Sequence, residues 1–118
     1  MREMEAIRAE VLEAAERIWF VQAVEDLSGS ENTLTMRLII RSGLFTQVFL
    51  GGKSDSLYMA LIEGRQRVFG VDREAGVWHE HPYLAAEKHE QVSDDFSQKP
   101  VLRFLAKVEE LILTHDLL

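Results

Sequence analysis

The stretch Thr33-Leu34-Thr35-Met36-Arg37-Leu38-Ile39-Ile40-Arg41, followed by Ser42-Gly43 and then Leu44-Phe45-Thr46-Gln47-Val48-Phe49-Leu50, decides the fold. Leu34, Met36, Leu38 and Ile40 alternate with Thr33, Thr35, Arg37 and Arg41, the period of two that a half-buried β-strand imposes. A two-residue break containing glycine between two such runs has the spacing of a tight hairpin. The second strand is apolar on both sides, with Leu44, Val48 and Leu50 pointing one way and Phe45 and Phe49 the other. Either a helix covers each side, or one face meets a partner or a second copy of the chain.

Outward from this hairpin the pattern repeats. Leu57–Ile62 reads as a short buried strand and Glu63-Gly64-Arg65-Gln66 as a turn. Arg67–Asp72 reads as another strand, Arg73-Glu74-Ala75-Gly76 as another turn, and Val77-Trp78-His79 as the next strand. Upstream, residues 20–27 form a candidate first strand and Ser28-Gly29-Ser30-Glu31-Asn32 a loop. Glu80 to Asp95 contains Pro82 and has no period, so it reads as a long ordered loop.

Each end of the chain carries a helical period. Ile7, Val11, Ala14 and Ile18 form one face of a helix over residues 3–18. Val101, Phe104, Val108 and Leu111, widened by Leu105 and Ile112, form the stripe of a helix over residues 98–114. Ser97 is its candidate N-cap and Pro100 lies in its first turn. His115, near the end of that helix, reads as solvated and uninvolved. The expectation is one α+β domain over residues 1–118, an antiparallel meander of five or six strands with an amphipathic helix at each end packed on it.

Composition limits the function classes. The chain has 118 residues, 47% of them hydrophobic, enough for one core. It has no cysteine, which excludes disulfides, thiol catalysis and cysteine-ligated zinc. No apolar run approaches the roughly 18 residues of a membrane span. The stretch MREMEAIRAE has no apolar signal core, so the expected location is cytoplasmic.

A net charge of −7 argues against general nucleic-acid binding. The charges are unevenly spread, however. Residues 33–73 carry six basic groups (Arg37, Arg41, Lys53, Arg65, Arg67 and Arg73) against three acidic ones, between two acidic flanks. This basic island is either a functional patch or one half of a set of cross-element salt bridges. Gly51-Gly52-Lys53-Ser54 lacks the first glycine and the spacing of a phosphate loop, and reads as a hairpin loop.

Chemistry concentrates at His79-Glu80-His81-Pro82 and His89, which hold three of the four histidines. Histidine changes charge near neutral pH and is the commonest metal ligand. In an extended strand His79 and His81 share one face and Trp78 points away.

The run Tyr58–Asp72, with its central Gly64-Arg65-Gln66-Arg67, then Gly76-Val77-Trp78-His79-Glu80-His81-Pro82 and His89, resembles the TumE-like family. These are small bacterial and archaeal proteins assigned as toxins of toxin–antitoxin pairs. Their shared pattern is a strand ending in aspartate, a short turn, a His-x-His-Pro segment and a further histidine. The resemblance covers roughly residues 33–92. One departure is that Asp72 is followed by Arg73, where the family often has asparagine. The resemblance implies a cytoplasmic toxin whose partners are an antitoxin protein and RNA.

Three chemistries fit the histidines. In metal-independent RNA cleavage, two of His79, His81 and His89 act as base and acid. Arg67 or Arg65 then holds phosphate, Arg37, Arg41, Arg65 and Arg73 contact RNA, and Trp78 or Tyr83 stacks a base. No cofactor is needed. The resemblance favours this reading. In a metal site, His79, His81 and His89 bind zinc or another divalent transition metal, with an oxygen from Asp72, Glu80 or Glu90. In a non-catalytic interaction module, the histidines pin the loop through bonds to backbone carbonyls.

Overall fold

A computed structural model describes residues 2–28, 30–52, 56–92 and 96–118. The alternation in the opening stretch becomes two strands, β2 (Thr33–Arg41) and β3 (Leu44–Gly51), joined by the expected two-residue turn. Gly43 adopts φ 80° there, a left-handed conformation open to glycine without strain. Around this hairpin lie β1 (Ala23–Asp26), β4 (Ser56–Glu63), β5 (Gln66–Glu74), β6 (Val77–His81) and β7 (Glu90–Gln91), with α1 (Arg2–Arg17) and α2 (Pro100–His115) at the ends. The strands form one sheet in chain order, each antiparallel to the next.

The architecture is the expected α+β meander, with seven strands where five or six are expected. The added strand, β7, lies inside the segment expected to be a loop. Its two residues are too few to show a period. Lys53 and Ser54 of the glycine-rich stretch fall outside the described residues.

Both helices lie on one side of the sheet. Leu34, Met36, Leu38, Leu44, Val48, Leu50, Leu57, Met59 and Leu61 project to that side and are buried. They meet Ile7, Val11 and Ala14 of α1 and Val101, Phe104, Leu105, Val108 and Ile112 of α2 in one hydrophobic cluster. Phe69 of β5 stacks on Phe104 at 5.6 Å. Ion pairs tie the helices to the same side: Arg8 to Asp26, Arg73 to Glu3 at 2.8 Å, and Lys107 to Glu80 at 3.6 Å.

The start of α2 differs from expectation. Its N-cap position is Lys99 at φ 53°, with no side-chain cap, and Ser97 does not serve. Glu10 of α1, itself buried, instead accepts the Leu102 N–H at 2.7 Å. An orphan N–H of one helix is thus satisfied by a side chain from the other.

The opposite face of the sheet bears Phe45, Phe49, Tyr58 and Ile62 without a helix over them, although all four are half-buried. Side chains of this face shield one another. Phe49 and Tyr58 pack at 6.1 Å, and the Arg37 guanidinium lies over Phe45 at 4.6 Å while donating through Nε to Gln47. The histidines stand on this same open face.

Candidate metal centre

The site is built by the β5–β6 hairpin. Its two-residue turn, Ala75-Gly76, has φ of 51° and 77°, the left-handed pair that matches the twist of a hairpin. This turn pairs Glu74 with Val77, so Asp72 lies opposite His79 and Gly70 opposite His81. Period two then places Asp72, His79 and His81 on the open face. Trp78 and Glu80 point to the helix side, where Trp78 packs on Phe96 at 5.4 Å. β7 pairs with β6 through His79–Gln91 and Glu80–Glu90, and so brings the preceding His89 back over the cluster.

The three histidines converge on the Asp72 carboxylate. His81 Nε2 lies 2.8 Å from Asp72 Oδ2, His79 Nδ1 3.9 Å from Asp72 Oδ1, and His89 Nε2 3.8 Å from Asp72 Oδ1. The His79 and His89 rings are 4.0 Å apart, and those of His81 and His89 4.9 Å. One ligand atom each from Asp72, His81 and His89 lie within 4.8 Å of one another. The Asp72 side chain is 6% exposed and that of His89 46%, so the cluster is closed beneath and open to solvent above.

Hydrogen bonding here is incomplete. Asp72 Oδ1 and His79 Nδ1 are buried, and neither has a hydrogen-bond partner among the described residues. Burying such atoms without a partner is costly. His81 is more constrained. Its Nδ1 lies 3.0 Å from the Ala86 carbonyl oxygen, which can only accept, so Nδ1 carries a hydrogen. Its Nε2 therefore either shares a proton with Asp72 or offers a lone pair to a cation. A metal-binding histidine commonly donates its other ring N–H to a backbone carbonyl in this way.

The arginines of the basic island are dispersed. Arg67 lies beside the cluster: its Cδ and the His81 Cδ2 are the side-chain atoms that a Cβ on Gly70 would meet, at 3.4 and 3.7 Å. Arg65 is exposed at the β4–β5 turn. Arg37 shares the open face but stands on β2, three strands away from Asp72. Arg41 donates to the Leu117 carbonyl at 2.7 Å and to Glu63 at 3.0 Å. Arg73 points to the helix side, bidentate on Glu3. Tyr83 stacks on His115 at 4.4 Å, so His115, expected to be uninvolved, has an aromatic partner. Glu80 is paired with Lys107, and Glu90 is exposed on β7.

Two contributors escape sequence reading. The Ala86 carbonyl is backbone and leaves no mark in the sequence. Gly70, a glycine inside a strand, is the conventional sign of close approach. Beside the site, Tyr58 of β4 faces Asp72 across the strand pair and donates its hydroxyl to Glu74 at 2.7 Å; that carboxylate holds the phenol above its ordinary pKa.

No protein-family profile matches this chain, and no curated protein or solved structure is significantly similar to it.

Proposed function

We propose that this protein binds a divalent transition metal through Asp72, His81 and His89, with His79 beside them. The observation that carries the reading is the convergence of three ligand atoms within 4.8 Å of one another, at a buried carboxylate whose Oδ1 has no hydrogen-bond partner among the described residues. Nitrogen and oxygen donors of this kind suit zinc, iron, cobalt or nickel more than calcium or magnesium. The exposed flank at His89 leaves room for a solvent molecule or substrate. A metal held there would supply a Lewis acid and an activated water, the chemistry of a hydrolase.

The resemblance to TumE-like proteins supports a second reading, a toxin that cleaves RNA by histidine acid–base chemistry. The position of Arg67 beside His81 favours it. The packing of the histidines favours the metal. The His79 and His89 rings, 4.0 Å apart, are in contact and admit no phosphoryl group between those two.

The two readings separate in one experiment. Protein purified without chelator is assayed for bound metal and for RNA cleavage, beside Asp72→Asn and His81→Ala. The metal reading expects about one equivalent in the wild type and loss in both variants. Cleavage that persists in chelator-treated, metal-free protein, with no metal bound at any stage, would replace it with the second reading.

A further inference from the structure

We infer that Arg67 is a positioning residue of the metal centre, holding the Ala86 carbonyl that in turn fixes the ring of His81. The inference rests on the metal reading and extends it to a residue that touches no ligand atom. Arg67 Nη2 donates to the Ala86 oxygen at 3.1 Å, and His81 Nδ1 lies 3.0 Å from that same oxygen. A carbonyl oxygen has two lone pairs and accommodates both donors. The chain of contacts therefore runs from the guanidinium through one carbonyl to Nδ1. Across the ring, Nε2 lies 2.8 Å from Asp72.

Among the described residues, few backbone bonds anchor the segment. Between β6 and β7 the backbone is held to the sheet by the Leu84 N–H, which donates to the Val68 carbonyl at 2.9 Å, and to itself by one-turn bonds from Ala85 to Pro82 and from Lys88 to Ala85. Leu84 adopts φ 59°, which a leucine holds only under constraint, and its side chain is exposed. Tyr83 holds the start of this segment by packing on the core and stacking on His115, and Ala86 is the point at which Arg67 and His81 grip its second half, three residues before His89. Gly70 makes the grip feasible. A Cβ there would lie 3.2 Å from the Met59 carbonyl and 3.4 Å from Arg67 Cδ. The missing side chain leaves the track along which the Arg67 stem reaches Ala86.

With the Nδ1–H held by Ala86, the ring presents Nε2 toward Asp72 in a single orientation. Without Arg67 the Ala86 carbonyl keeps, among the described residues, the imidazole as its partner, and the segment loses its guanidinium anchor. A contact made directly on a ligating histidine, here that of the Ala86 carbonyl, typically changes metal affinity by about tenfold to a hundredfold, and Arg67 acts one bond further out.

The test compares wild type, Arg67→Lys, Arg67→Gln and Arg67→Ala. It uses Co(II) alone as the probe, followed by titration and its visible spectrum. In parallel, the His81 Nδ1–H signal is recorded by nitrogen-15 NMR in metal-free protein. The expected result is Co(II) affinity weaker by up to about tenfold in Arg67→Ala, the lower end of the range for direct partners of a ligating histidine, with recovery in Arg67→Lys. The His81 Nδ1–H signal is sharp in wild type and exchange-broadened in Arg67→Ala. Should Arg67→Ala fail to fold, Arg67→Gln, which removes the charge and shortens the reach of the N–H donors toward the Ala86 carbonyl, carries the comparison. Equal affinity and an unchanged Nδ1–H signal across the series overturn the inference. Absence of Co(II) binding in wild type overturns the metal reading instead, and the NMR arm then still decides whether Arg67 orders His81.

Discussion

Asp72 and His79 face each other across β5 and β6 with Oδ1 3.9 Å from Nδ1, and neither buried atom has a hydrogen-bond partner among the described residues. Two unsatisfied polar atoms in one place are a liability to a fold and an asset to a ligand site. Filling the place with a cation would satisfy the carboxylate and restore stability.

Metal binding is therefore expected to stabilise this protein. Zinc at a hundred times its dissociation constant should raise the unfolding free energy by about 2.7 kcal/mol, visible as an upward shift of the thermal transition. Asp72→Asn keeps the shape of the side chain but removes its charge, and the zinc-induced shift should disappear. An unchanged transition in wild type at millimolar zinc would count against the site.

Glu10 links pH to stability. Burial pushes its carboxyl pKa above the ordinary value, against the lowering effect of the Leu102 and Val101 N–H groups and of Lys99. A carboxyl with a raised folded pKa favours the fold in its protonated form. Its stabilising contribution is present below the unfolded pKa and is lost as pH rises through the folded one. Glu10→Gln, which retains an acceptor for Leu102, should be more stable than wild type at pH 7, with the gap closing toward pH 4. Glu10→Ala, which leaves the N–H unpaired and has no carboxyl to titrate, should lose about 1 kcal/mol at pH 4 and less at pH 7. Urea unfolding across this range distinguishes the three.

Thr46 carries the other orphan atom. Its Oγ1 is fully buried on the helix side of β3 with no partner among the described residues. Thr46→Val replaces the hydroxyl with a methyl group and should stabilise the protein by about 1 kcal/mol in chemical denaturation, since an unpaired buried hydroxyl costs roughly 1–3 kcal/mol.

Ala75 occupies a left-handed position at φ 51° in the β5–β6 turn. Glycine adopts this conformation freely, so Ala75→Gly should stabilise by about 0.5–1 kcal/mol, the backbone relief being partly offset by a more flexible unfolded chain. Because the register of Asp72 against His79 is unchanged, metal affinity should stay at the wild-type value.

Much of this architecture is local and hence legible in the residues alone. The alternation from Leu34 to Ile40 announces a strand with one buried face, and the turns at Ser42-Gly43 and Ala75-Gly76 announce hairpins. The helical stripes beginning at Ile7 and Val101 announce two amphipathic helices. Period two likewise puts His79 and His81 on one side before any coordinate is known. These readings need only the geometry of a strand or a helix. The rest depended on contacts distant in sequence. Which face of the sheet both helices would choose, and therefore that the histidines stand on the uncovered one, follows from packing around Phe69 and Phe104. The dispersal of the basic island follows from partners such as Glu3 and Leu117, far along the chain. Ser97 satisfies every local criterion for a cap, yet Glu10 does the work because the tertiary fold carries it to the helix start. The pairing of Asp72 with His79 was set by the φ values of a two-residue turn, and the return of His89 by a strand too short to show a period. Sequence by itself determined the elements and the sidedness of the histidine pair. Tertiary structure alone brought a carboxylate and a third histidine to that pair, because the bonds and packing that bring them there join residues that no local period connects.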